Sequence, residues 1–148
     1  MEKNFIRVRS AKDIIVFATL VITGSVLVAL PTSSSVNILG FFMVFTGVLL
    51  AIFMKTGYKE EQSGTRFCKT EIFFDKSRQS ELSKAIKTRL SPSDVKEANV
   101  GNGIRLDIYH SKATGTSFVQ LYEYVPYKYE PCTIMYEHPY ENVSEILK

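Results

Sequence analysis

Four side chains in this 148-residue sequence carry the chemistry of metal ligands or nucleophile–base pairs: Cys68, Cys132, His110 and His138. Zinc sites draw their ligands from close pairs such as C-x-x-C or H-x-x-x-H, and neither spacing occurs. The separation of Cys132 from His138 matches no common zinc pattern. Cys132 with His110, or a serine with a histidine and Asp107, would supply a nucleophile and a base, but no nucleophile elbow or other mechanistic motif surrounds them. Gly101-Asn102-Gly103 follows no clear strand and opens no helix, so it does not read as a phosphate loop. The sequence therefore assigns no catalytic residue, no metal and no cofactor. The expectation is a protein that is not an enzyme. The alternative is a small membrane-surface enzyme acting on a lipid or a membrane-anchored substrate. Both cysteines fall in expected strands and are read as reduced, buried thiols.

Binding chemistry is better represented. Tyr122, Tyr124, Tyr127 and Tyr129 crowd one stretch, followed by Tyr136 and Tyr140. Cross-strand aromatic pairs stabilise sheets, and a tyrosine-lined groove or edge also recruits extended peptides. These first four tyrosines are the candidate partner surface. A second set is basic: Arg78, Lys84, Lys87 and Arg89 lie on the polar face of an amphipathic segment, and the first three are the candidates to meet anionic headgroups.

The elements that must position these residues follow from periodicity. Arg66–Phe74 alternates, with Cys68, Thr70, Ile72 and Phe74 on one side, and reads as a half-buried strand. Asp75 caps the next segment, where Leu82, Ala85, Ile86 and Leu90 recur at helical spacing through Lys76–Leu90. Ser91-Pro92-Ser93-Asp94 has the residues of a helix start. Ile104–His110 and Thr116–Val125 read as strands joined by a turn at Lys112–Gly115. Tyr127–Glu130 is a connection to a third strand, Cys132–His138, and Pro139 starts a terminal helix through Leu147. This order specifies a small α+β domain with an antiparallel sheet over residues 65–148.

Upstream of it the composition changes abruptly. The whole chain is 45% apolar and 22% charged with a formal charge of +3, yet residues 14–54 contain no charged side chain. Ile14–Leu30 and Ile38–Met54 are uninterrupted apolar runs, each long enough to be a membrane-spanning helix once flanking residues are added. A cleaved signal peptide would have a shorter apolar stretch and no second span after it. Pro31–Asn37 is a polar, uncharged connection between antiparallel helices. Lys3, Arg7, Arg9 and Lys12 precede the first span, and Lys55, Lys59, Arg66 and Lys69 follow the second. The positive-inside rule then puts both termini in the cytoplasm, across a plasma or inner membrane. The organisation expected is a basic N-terminus (1–13), a two-helix transmembrane hairpin (14–54), a linker (55–64) and the α+β domain.

Small residues recur at matched offsets: Ala18, Ser25 and Ala29 in the first span, Gly40, Gly47 and Ala51 in the second. Close backbone approach at such positions holds helices together in lipid, so these six are the expected helix-packing interface. The register that pairs Ala29 with Gly40 sets Ile22 against Gly47 and Ser25 against Val44. The same stripe could serve a homo-oligomer. Neither span contains an ionisable residue, which argues against an ion or proton pathway. The C-terminal domain is almost neutral and has no basic run, which argues against nucleic acid. The expected partners are the lipid bilayer and an unidentified protein, with the chain acting as an accessory subunit, a membrane-tethered regulator or an immunity-type factor.

Overall fold

The computed structural model describes residues 3–31, 33–96, 98 and 101–147. Met1, Glu2 and Lys148, at the ends of the expected segments, and Thr32 in the expected loop lie outside the described residues. The chain divides into two compact units, one of Phe5–Lys59 and one of Met1–Asn4 with Glu60–Lys148.

The first unit is a helical hairpin. Helix α1 (Ala11–Ala29) and helix α2 (Ser34–Phe53) extend beyond the apolar runs because polar residues at their N-terminal ends join the helices. At about 1.5 Å per residue they are about 29 and 30 Å long, the thickness of a bilayer's hydrocarbon core. Both are long and apolar enough to cross a membrane. The connection is shorter than expected, since Ser34–Asn37 already belong to α2.

The helices meet at glycines. A Cβ on Gly24 would lie 2.7 Å from the Gly40 carbonyl oxygen and 2.8 Å from the Val44 nitrogen. One on Gly40 would lie 2.7 Å from the Gly24 carbonyl oxygen, and one on Gly47 would meet the Val21 side chain at 2.7 Å. Only a residue without a side chain permits this approach. The expected register is therefore corrected. Gly40 faces Gly24, Leu27 and Val28 rather than Ala29, and Gly47 faces Phe17, Leu20 and Val21 rather than Ile22. Val44 meets Gly24 instead of Ser25. Ser25 and Ala29 are exposed on the outside of the hairpin, and the Ser25 hydroxyl donates to the Val21 carbonyl of its own helix, 2.7 Å away.

Two short strands, β1 (Phe5–Val8) and β2 (Gly57–Glu60), flank the hairpin and pair with each other. Neither was expected: residues 1–13 read as a basic tail and 55–64 as a linker. Gly57, which suggests flexibility in the sequence, is instead packed so that a Cβ would lie 3.1 Å from the Val8 carbonyl oxygen.

In the second unit, β3 (Arg66–Phe74), β4 (Ile104–Ser111) and β5 (Thr116–Val125) form an antiparallel meander. Register aligns Ile72, Leu106 and Leu121 in one row and Thr70, Ile108 and Val119 in the next. Helix α3 (Gln79–Thr88), entered through a 3₁₀ turn at Lys76–Arg78, buries Leu82 and Ile86 against that face. The expected helix over Lys76–Leu90 is thus a turn plus ten helical residues. Ser91 and Asp94 form the expected capping pair, but only a 3₁₀ turn follows, over Pro92–Val95. Strand β6 (Lys128–Pro131) occupies what read as a connection, and β7 (Tyr136–Pro139) is shorter than the strand expected from Cys132. Thr133 explains the difference: its hydroxyl accepts from the Leu121 N–H at 3.1 Å, taking the place of a ladder carbonyl. Both strands pair with β5, along different halves of it. Helix α4 (Tyr140–Ser144) buries Val143 in the core and stops short of Leu147.

Because the atoms crowding Gly24 are largely backbone, Gly24→Ala should force the helices apart and destabilise the hairpin by about 1–3 kcal/mol. Ala29→Leu, at an exposed position, should be neutral. Thermal unfolding of the full chain in detergent measures both.

Candidate interaction surfaces and the base of the hairpin

The tyrosine stretch folds into a hairpin of β5 and β6 in which Val125 pairs with Lys128 and only Pro126 and Tyr127 form the turn. Tyr124 stands opposite Tyr129, with ring centroids 5.2 Å apart. Tyr129 also packs edge-on against Phe73 at 6.0 Å, and its hydroxyl donates to the Asn102 carbonyl at 2.8 Å. Arg105 lies between Tyr122 and Tyr129, its guanidinium 4.8 and 4.7 Å from the two ring centres. Arg105 is in turn fixed by buried Asp107, with Nε 2.8 Å from Oδ1, while Lys69 Nζ approaches Oδ2 at 2.7 Å. Tyr122, Tyr124 and Tyr129 are therefore joined into one supported cluster, with Tyr124 still about half exposed.

Tyr127 is different. It is 98% exposed and has a φ of 73°, the left-handed conformation usually left to glycine or asparagine. Among the described non-glycine residues no other has a positive φ. A bulky aromatic is thus held, at a conformational cost, where it touches almost nothing within its own chain. Strain of this kind concentrates at binding sites.

The basic set separates. Arg78 binds Glu81 through two nitrogens at 3.2 and 3.1 Å, donates to the Asp94 carbonyl at 2.9 Å, and lies over the Phe74 ring. It is engaged within the domain and is not a free cation for headgroups. Lys84 and Lys87 are exposed on α3. In the hairpin, Gly40 and Gly47 are buried at the helix contact and Ala18 and Ala51 are half-buried. Gly24, absent from the expected stripe, is the close-approach residue of α1.

One thiol and one imidazole are cross-strand neighbours. Register places His110 opposite Cys68, not beside Cys132. Cys68 is exposed and Cys132 half-buried, correcting the expectation that both are buried; both are free. Burial pushes the Cys132 thiol up and the His110 imidazole down, away from a thiolate and an imidazolium. His138 is a buried structural group whose Nε2 donates to the Ile86 carbonyl at 2.7 Å, joining β7 to α3. Among the described residues no three His, Cys, Asp or Glu side chains stand together as a metal site.

The base of the hairpin holds residues that the sequence reading did not single out. Asp13 is completely buried. Its carboxylate accepts from the Ser10 N–H at 2.8 Å, the Thr56 N–H at 2.9 Å and the Thr56 hydroxyl at 2.6 Å. The Ser10 hydroxyl accepts from the Asp13 N–H, completing a capping box. Ser-x-x-Asp before an apolar run was the available signal; the Thr56 contact had none. In the other unit Lys3 pairs with buried Glu60, which also accepts from the Ser63 hydroxyl. Asn4 bonds Glu61 through its side chain at 2.6 Å and through its carbonyl at 3.0 Å.

Comparison with protein-family models, curated proteins and solved structures finds no match to this chain.

Two outcomes follow from this geometry. Tyr127→Gly removes the left-handed strain and should stabilise the sheet domain by about 1 kcal/mol, read as a higher denaturation midpoint. Lys3 and Ser63 hold the Glu60 carboxyl below its ordinary 4.5. A depressed carboxylate stabilises the fold above that pH, and the contribution fades as pH falls below it. The protection of the Glu61 amide, which donates to the Asn4 carbonyl, taken relative to its intrinsic exchange rate at each pH, should therefore fall below pH 4.5, and Glu60→Gln should lower it in the same way at neutral pH.

Proposed function

We propose that this chain is a membrane-anchored interaction protein: α1 and α2 span a plasma or inner membrane, and the sheet domain binds a protein partner in the cytoplasm. The observation that carries the anchor is the surface of the hairpin. Only 11% of each apolar stretch is buried within the molecule, whereas the core helix of a soluble protein is mostly buried. Ile14, Ile15, Ile22, Phe41, Phe42, Phe45 and Phe53 are all exposed. Water would oppose such a surface, and hydrocarbon would accept it.

Two features support placing both termini on the cytoplasmic side. Basic residues flank the outer ends of both helices and are absent from the connection between them. Lys3 and Asn4, before the hairpin, bond to Glu60 and Glu61, after it. A chain so joined keeps its two ends in one compartment.

The partner-binding role is carried by Tyr127, with Tyr124 beside it and the Arg105–Tyr129 stack beneath. Tyrosine and arginine are the residue types that dominate binding energy at protein interfaces. An accessory subunit, a tethered regulator or an immunity-type factor would each act through such a surface. The catalytic alternative would have to draw on Cys68 and His110, which stand opposite each other across β3 and β4.

Exposed Cys68 is a built-in reporter of sidedness. In a Cys132→Ser background carrying Ser34→Cys, a membrane-impermeant maleimide applied to intact cells should label position 34 only. Cys68 should react once the membrane is opened. Labelling of Cys68 from outside contradicts the orientation.

A further inference from the structure

Beside α3 lies an open groove of about 670 Å³, walled by the helix and by the Ser91–Asp94 segment. Its charges do not balance. Glu81 is neutralised by the two-pronged contact from Arg78. Asp94 is occupied as a cap, accepting from the Ser91 N–H at 2.7 Å and the Ser91 hydroxyl at 2.8 Å. Lys84 and Arg89 line the same groove, both exposed, and among the described residues no ion pair reaches either. Ser80 stands one helical turn before Lys84 on the same face, adding a hydroxyl donor. The groove therefore presents an ammonium, a guanidinium fork and a hydroxyl, two cations against Asp94, whose hydrogen bonds come from neutral donors. A tetrahedral anion with several acceptor oxygens complements that donor set, and arginine binds phosphate through two parallel hydrogen bonds.

We propose that the α3 groove binds a phosphoryl group through Lys84, Arg89 and Ser80. The group comes from an anionic lipid headgroup or from a soluble phosphate. The lipid source rests on the membrane-anchor reading, under which tethering holds the domain near a phosphate-rich surface at high effective concentration. This revises the sequence-derived headgroup set of Arg78, Lys84 and Lys87: Arg78 is occupied, and Arg89, which the sequence places on the same polar face, takes its place.

The test uses the full chain in nanodiscs and reads amide exchange across residues 77–94. Discs containing phosphatidylglycerol should slow exchange there relative to phosphatidylcholine discs if the source is lipid. Inorganic phosphate added to phosphatidylcholine discs should slow it if the source is soluble. Lys84→Glu with Arg89→Glu should weaken the response by about fivefold per cation removed, and the milder Lys84→Gln with Arg89→Gln should weaken it less. Lys112→Glu, an exposed charge change outside the groove, should leave it intact. Protection in either arm that the groove variants abolish establishes the site. No protection in both arms, or protection that survives both groove variants, overturns it. Co-elution of the chain with the discs reports anchoring separately, so failure of the groove and failure of the anchor are told apart.

Discussion

Forty-three residues separate Asp13 from Thr56, and one buried carboxylate closes that distance. A buried charge is tolerated only when hydrogen bonds replace its hydration. Asp13 has them from the Ser10 N–H and from both the N–H and the hydroxyl of Thr56. The same contact caps α1 and fixes the exit of α2. With the ends fixed there and the middle drawn together at Gly24, Gly40 and Gly47, the hairpin has one register. Arg9 adds to the closure by donating to the Ala51 carbonyl at the last turn of α2. Replacing Asp13 with a residue that cannot accept would leave these donors unpaired, a larger loss than that of any one outward-facing apolar residue.

The sheet domain resolves its polar groups by a similar economy. Asp107 is almost wholly buried in the sheet, and Lys69 and Arg105 meet it there. Arg105 passes that rigidity on to Tyr122 and Tyr129. Two exposed features stand apart from this buried network. Tyr127 projects into solvent from a strained turn, and Lys84 and Arg89 stand over a groove in which Glu81 is held by Arg78 and Asp94 by Ser91. The tyrosines differ here by what they touch, not by where they fall in the sequence.

What the sequence made legible was local. β3 spans Arg66–Phe74 as alternation predicts, and β5 spans Thr116–Val125, since each strand has a buried face and abrupt polar boundaries. The two apolar runs became helices because uncharged 17-residue stretches leave few alternatives. What stayed hidden depends on partners distant in the chain. β1 and β2 are four residues each and pair across the whole hairpin, so neither carries a periodic signal of its own. β6 went unread because Pro126 and Pro131 look like loop punctuation, whereas Pro126 opens a tight turn and Pro131 ends an edge strand. The helix stripe was misread for a related reason. Ala18, Ser25 and Ala29 share one face by spacing, but only Gly24 lets the backbones reach their observed separation. Arg78 looked free because two of its partners, Asp94 and Phe74, lie outside the turn and helix, although the third, Glu81, is only three residues away.

The central claim is that the exposed apolar surface of the hairpin is buried in lipid. The chain contains no tryptophan, so Phe45→Trp, at an exposed site near the middle of α2, places a single fluorophore where the bilayer centre should be. In proteoliposomes, lipids brominated deep in their acyl chains should quench its emission strongly, and aqueous acrylamide should quench it little. Quenching by acrylamide with no response to the brominated lipids would contradict the account.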